Sequence, residues 1–388
     1  MIVTLKDITT KITKGTTPTS IGCKFEKSGI NFIKSESLVD GKTIDKSKFA
    51  FISERTHERL KRSQIEKNDI LFSMAGMFLG KTGIATAEVV PANTNQAVAI
   101  IRVDDTKANY EYVYYYLNQK SVIHTINTTS AQSAQPNINL KQIGEIKINL
   151  PDRKKQDQIV SLLSAIDLKI SNNVEINDNL EQQAAALFSS LYNRSNTEVR
   201  YTDLIQILGG GTPKTGETAY WNGNIAFFTP KDVGAPYTFI TEKTITEEGL
   251  LHCNSRLYPV NTVFVTARGT VGKVGLSGVP MAMNQSCYAL VGKETHQLLV
   301  YFYTLKAVDR LKHKASGAVF DAITTRDFDS EQIMKLSDDD AKAFLCVAEP
   351  MFQEILNNSI ENLRLSTLRD FLLPKLMSGE IDVSSVQI

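Results

Sequence analysis

The sequence is sparing with cysteine and histidine, and each scarcity excludes something. Its four Cys, at 23, 253, 287 and 346, lie far apart without a CxxC pair. That excludes a disulfide framework and a zinc site built on paired thiolates. Five His (57, 124, 252, 296 and 313) show no metal-ligand spacing. No apolar run reaches the length of a membrane span and no signal-peptide pattern is visible, so the expectation is a cytoplasmic protein with no membrane partner. A net charge of +1 over 388 residues points neither toward nor away from nucleic acid. The charge is uneven, however: residues 1–90 hold 12 Lys and 3 Arg against 10 acids, which predicts a local basic face. The length allows two or three domains with real cores.

One further absence is the most informative. Neither Pro nor Gly occurs between Pro151 and Leu208. Within that stretch Ile159, Leu163, Ile166, Ile170, Asn173, Asn177, Leu180, Ala184, Leu187 and Leu191 follow one another at alternating steps of four and three. This spacing predicts a helix from Lys154 to Tyr192 with a narrow a/d seam, roughly 60 Å long at 1.5 Å per residue. Such a stripe needs a partner of similar length. Phe344, Val347, Met351, Ile355, Asn358, Asn362, Leu365, Arg369, Leu372 and Leu376 repeat the pattern, with one slip of four for three after Met351. Both seams carry two Asn in mid-stripe, Asn173 with Asn177 and Asn358 with Asn362. A buried Asn fixes register because it must face another polar group. An antiparallel pair would bring the two Asn pairs together; the plainer alternative packs each helix on its own globule.

The remainder reads as one plan used twice. Lys14-Gly15-Thr16-Thr17-Pro18 is mirrored by Gly209-Gly210-Gly211-Thr212-Pro213. The strand-like Gly29–Ile33 is mirrored by Asn224–Phe228, and Asp69–Ser73 by Asn261–Thr266. Ala75–Gly83 is mirrored by Ala267–Gly275, and Asn95-Gln96 by Asn284-Gln285. The landmarks keep their order while the offset drifts from about 195 to 189. An aromatic helix is expected at Tyr110–Asn118 and an alternating segment at Leu140–Leu150. The chain is therefore a tandem duplication, globule then helix, twice, and a duplicated chain suits a target with two similar halves.

The motifs favour contact over catalysis. Gly76-Met77-Phe78-Leu79-Gly80-Lys81-Thr82 approaches a phosphate-binding loop, but only three residues separate its glycines and a strand-like Ile84-Ala85-Thr86 follows in place of a helix. A hairpin tip with a retained Lys, Lys81 or Lys273, is the better reading, with an ordinary glycine turn as the plain alternative. Asp321 and Asp327 invite a nuclease reading, yet the first copy has no matching acid pair. There is no GxSxG and no Asn-Pro-Pro-aromatic segment. Asn95-Gln96 and Asn284-Gln285 could pair with a base edge or satisfy backbone in tight turns.

The ending Leu372-Leu373-Pro374-Lys375-Leu376-Met377-Ser378-Gly379-Glu380-Ile381-Asp382-Val383 resembles that of the DNA-specificity subunits of type I restriction–modification systems. Gln156–Val160, Leu163–Asp167, Asn179-Leu180-Glu181 and Ala186-Leu187-Phe188 resemble their first conserved helix. Gly211-Thr212-Pro213 and Gly269–Lys273 also fit. The resemblance covers essentially the whole chain. It implies an α/β fold of two mixed target-recognition domains and two long antiparallel helices, pseudo-twofold in arrangement. The divisions are 1–151, 152–196, 197–337 and 338–378, with a tail, 379–388, packing near the first domain.

By that resemblance the chain binds double-stranded DNA, each globule reading half of a two-part site. The helix pair would set the gap and dock two modification subunits that use S-adenosylmethionine. A restriction subunit would use ATP and magnesium, and this chain would hold neither cofactor nor metal. Expected DNA contacts in the first globule are Lys11, Lys14, Thr16 and Thr17, then Ser35, Glu36 and Ser37. Met74, Gly76, Met77 and Lys81 follow, with Asn95 and Gln96, then Gln132, Gln135 and Asn137. In the second globule they are Thr212 and Lys214, then Thr229, Lys231 and Asp232. Arg268, Gly269, Thr270 and Lys273 complete the set with Asn284 and Gln285. The competing readings are a protein-interaction scaffold with a coiled-coil stalk and a stand-alone nuclease or methyltransferase.

Overall fold

A computed structural model describes the chain except for residues 40, 131–136, 235, 315–321 and 384–388. The described chain forms two compact units, Met1–Leu168 with Leu365–Ile388, and Lys169–Arg364. Each holds one globule and parts of both long helices, Arg153–Arg194 and Asp338–Ser378. No helix among the described residues is long and apolar enough to cross a membrane.

The two globules share one plan. In the first, a four-stranded sheet has the order Thr9–Lys14, Val98–Val103, Ile70–Ser73, Thr82–Ile84. In the second, the matching order is Ile205–Gly209, Cys287–Gly292, Val263–Thr266, Val274–Ser277, with Tyr237–Thr238 added at the edge. A smaller sheet has Ile30–Ile33 beside Ala50–Ile52 and, in parallel, Ala92–Thr94; its counterpart has Trp221–Phe228 beside Lys243–Ile245 and Met281–Met283. A two-stranded ladder closes each copy, Ile2–Thr4 with Lys147–Asn149 and Thr197–Arg200 with Gln332–Lys335. The central strands Ile70–Ser73 and Val263–Thr266 are buried throughout, as apolar runs with neighbours on both sides should be.

The aromatic segment forms the helix Tyr110–Leu117, started by Asn109, whose Oδ1 accepts from the Glu111 and Tyr112 amides. Leu140–Leu150 is not one alternating strand. Leu140–Gly144 is a helix closed by an Asn139–Gln142 capping box, and only Lys147–Asn149 is extended. The cap, which sequence alternation does not register, decides the matter.

In the second unit the long helices run antiparallel. Asn173 Nδ2 donates to Asn362 Oδ1 at 2.9 Å and to Glu361 Oε2 at 2.7 Å. Asn358 Nδ2 donates to Asn177 Oδ1 at 3.0 Å, and Arg194 meets Asp340 at 2.7 Å. Each step forward on one helix is a step back on the other, and the Asn pairs do meet. The seam of the first helix is buried or half-buried at every expected position. The second departs near its start: Val347 is 44% exposed, while Ala348 and Phe352 are buried beside Phe344. There the helix packs on its own globule through Phe302, Tyr301 and Tyr237. That broad contact selects steps of four in place of the narrow seam.

The two globules are seated on the helices by different means. In the first unit Asp167 accepts from Tyr115 Oη at 2.5 Å and from Arg369 at 3.0 Å. Lys42 meets Glu111 at 2.5 Å and Ser164 Oγ at 2.9 Å. Burial first, then the Asp167 charge, holds the Tyr115 phenol far above its ordinary pKa, so it remains a donor. In the second unit Phe188 stacks on Phe302 at 5.0 Å and meets Phe344 edge-on at 5.4 Å. Val383 is buried in the first unit's core with Ile381 packed against it, and Asp382 lies 3.4 Å from Lys155. Residues 384–388 of the tail lie outside the described residues.

Asn177→Ala and Asn358→Ala should not be additive. Urea unfolding followed by helical circular dichroism should give a coupling of about 0.5–1.5 kcal/mol between them; simple additivity would mean that the amide pair holds nothing together.

Candidate nucleic-acid interface

A threonine-proline turn and an Asn-Gln turn lie against each other in both globules. Thr17 Oγ1 bonds Gln96 Oε1, and Thr212 Oγ1 bonds Gln285 Oε1. The approach is so close that no Cβ fits on the glycine. One on Gly15 would sit 1.9 Å from Thr94 O, and one on Gly210 would sit 2.3 Å from Asn284 O. Each Asn serves its own turn: Asn95 Oδ1 accepts from the Ala97 amide and Asn284 Oδ1 from the Ser286 amide, both at 3.0 Å. The Gln side chains stand exposed, with their carbonyls held by threonine and their amide N–H groups left to donate. Thr16 Oγ1 accepts from Arg62 at 3.1 Å, an arginine that the motif reading passed over.

The glycine-rich segments are hairpin tips. Ser73 N donates to Lys81 O at 2.8 Å, and Thr266 N to Lys273 O at 3.0 Å. Gly76 and Gly80 match Gly269 and Gly272, all four at positive φ between 71° and 84°, where a side chain is strained. Strands follow both tips, Thr82–Ile84 and Val274–Ser277, so neither lysine opens a helix as a phosphate loop requires. In each copy the two residues that come shortly before the next short helix pair with the tip. Ala75 bridges Asn137 and Arg268 bridges Ala322, with Ile138 N on Met74 O and Ile323 N on Ala267 O, both at 2.9 Å.

In the second globule three expected loops converge. Thr229, Lys231, Arg268, Thr270 and Asn284 line one cleft of about 470 Å³ together with Glu242 and Lys243. Lys231 lies 3.6 Å from Glu242, and Lys243 lies 5.5 Å over the Trp221 ring. Lys243 does not follow from the motifs, because a sheet and not a sequence pattern brings it here. Burial first, then the Asp232 charge, pushes the Cys287 thiol up to about 12, so it stays protonated and is no nucleophile.

Several expected contacts are corrected. Met74 is 6% exposed within the first core and Ser37 is fully buried; both end strands or turns whose inward face is needed for packing. Asp232 is consumed by its own loop, accepting from Thr229 N and Oγ1 at 2.8 and 2.6 Å and from Glu242 N at 2.8 Å. Glu36 is exposed and lies 3.6 Å from Lys34. Lys14, Met77, Asn137, Thr212, Lys214, Gly269 and Lys273 are exposed, while Lys11, Ser35 and Lys81 are half-buried. Gln132, Gln135 and Asp321 lie outside the described residues. Asp327 is the acid of a capping box with Thr324. No group of three or more His, Cys, Asp or Glu among the described residues could hold a metal.

Comparison with known proteins agrees with this geometry. The model of the type I restriction modification DNA specificity domain matches residues 1–182 and 193–335. The HindI specificity subunit of Haemophilus influenzae is 22% identical over 82% of this chain and 88% of its own. The EcoR124I/EcoR124II specificity subunit of Escherichia coli is 27% identical over 55% of this chain and 54% of its own. The S subunit from M. genitalium superimposes with a TM-score of 0.59 at 15% identity, covering 97% of this chain and 95% of the other.

The Gly210→Ala chain should lose about 1–3 kcal/mol as its turn is forced from the Asn-Gln turn. Gly209→Ala, with nothing within 4 Å of the added carbon, is the control. Equal thermal midpoints for the two would show that the close approach is not needed.

Proposed function

The chain belongs to the type I restriction–modification DNA specificity family, and from that premise we propose that each of its two globules reads one half of a two-part DNA site. A specificity subunit of this family selects the sequence and leaves the chemistry to other subunits of the restriction–modification complex. The observation that supports a division between globules is the repeated reading edge: the same threonine–glutamine tie, the same crowded glycine and the same two-glycine hairpin tip recur in both copies. A single reader would need that assembly once.

The loop chemistry fits a duplex. Exposed lysines at the tips and turns suit phosphates, and amides and the guanidinium suit base edges. The helix pair would carry the spacing between half-sites. Its outer faces expose Leu168, Leu368 and Phe371 in the first unit and Val174, Ile176 and Val347 in the second. Apolar side chains on solvent-facing helix surfaces are suited to partner docking, here two modification subunits. S-adenosylmethionine, ATP and magnesium would belong to those subunits and to the restriction subunit.

The test is a binding selection from randomised duplexes with the modification subunits present. A two-part motif with a fixed gap is the expected result, and a continuous motif would overturn the division between globules.

A further inference from the structure

The two tips share the hydrogen bonds of the strand that enters them, although the first is one residue longer between its glycines, Gly76 to Gly80 against Gly269 to Gly272. Met74 N donates to Ala97 O at 2.8 Å, and Ala267 N donates to Ser286 O at 2.8 Å. The next residues are Ala75 and Arg268, and each bridges the returning loop in the same way. Position for position, the first globule presents a methyl group where the second presents a guanidinium.

Arg268 is held firmly at its base. Its amide donates to Ser286 O at 3.2 Å, and the residue bridges Ala322 on its other side. Its side chain is exposed and has no hydrogen bond or ion pair among the described residues. It lines the same cleft as Asn284, whose Oδ1 serves the Ser286 turn and whose Nδ2 has no partner there. The acids nearby are occupied: Glu242 by Lys231 and Asp232 by its own loop. The cleft lining therefore offers the Arg268 guanidinium and the Asn284 amide as donors, beside Lys243 and the Lys231–Glu242 pair.

The geometry points to Arg268 as the base-reading centre of the second globule, with guanine as its target. Guanine is the base whose major-groove edge carries two acceptors, O6 and N7, at the spacing of a guanidinium fork. A flexible chain on a loose loop would suit a phosphate as well. A backbone anchored on both sides, with lysines lining the same cleft, leaves the phosphates to the lysines and the fork to the base. The first globule has Ala75 in this place. The inference rests on the proposed two-part reading and adds a base and a residue to it.

The experiment repeats the duplex selection on the full chain with its modification subunits, using wild type, Arg268→Lys and Arg268→Ala. Wild type should prefer a G·C pair at one position of one half-site by about 5- to 150-fold. Arg268→Lys keeps the charge but not the fork, so that preference should collapse while the other half-site and the salt dependence stay unchanged. Arg268→Ala should lose the same preference. An intact motif in Arg268→Lys, with Arg268→Ala weakened evenly over all sequences and its salt slope reduced by about one, would make Arg268 a phosphate contact and overturn the assignment. An intact motif in both variants overturns it as well. A wild-type motif in two parts with no such guanine sinks the assignment alone; a wild-type motif that is continuous sinks the two-part reading with it.

Discussion

Two amide pairs in an apolar seam, Asn173 and Asn358 buried and Asn177 and Asn362 half-buried, fix the register on which the helix pair of the second unit depends. Asn173 faces Asn362 and Asn177 faces Asn358, with N–O distances of 2.9 and 3.0 Å. A slip of one turn would leave one Asn pair facing but set the other two amides against Ile170 and Ile355, or against Leu180 and Leu365, leaving them unpaired at about 1–3 kcal/mol each. An all-apolar seam would tolerate that slip. The register of the helix pair in the second unit thus follows from four residues.

Duplication lets the molecule serve as its own control. Groups that place backbone are kept in both copies: the crowded Gly15 and Gly210, the Thr–Gln tie, the positive-φ glycines of the tips. Groups that seat the globules have diverged. One seat is a network of Lys42, Glu111, Tyr115, Asp167 and Arg369; the other is a cluster of Phe188, Phe302, Phe344 and Phe352. Ionic and aromatic solutions both serve, because a seat need only be rigid. At the tips the backbone pairing is kept, Ala75 with Asn137 and Arg268 with Ala322, while the side chain at that place and the spacing of the two glycines have diverged.

The helix seam and the repeat were legible in the sequence because both are periodic signals carried by residue type. Turn chemistry was legible too, since glycine, proline and Asn-Gln mark their own geometry. Burial at the reading edge was not. Nothing local distinguishes Met74, which faces the core, from Met77, which is 88% exposed three residues later. Nor does spacing reveal that Asp232 is spent on Glu242 ten residues on, or that Lys243 reaches the cleft from a neighbouring strand. Val347 and Met351 fit a heptad on paper, but contact with the globule shifts the buried stripe to Ala348 and Phe352. Long-range packing decided every one of these cases. The resemblance supplied the function and could not supply the side chains that touch DNA.

The most direct test of the helix pair as the element that sets the gap is a matched insertion. Seven residues in apolar register, added to both long helices at opposed positions, preserve the seam. The lengthened chain, assembled with its modification subunits, is then used to select randomised duplexes. The same two half-sites separated by a longer gap are the predicted result. The same half-sites at an unchanged gap would contradict the account, because the spacing would then reside in something other than the helices.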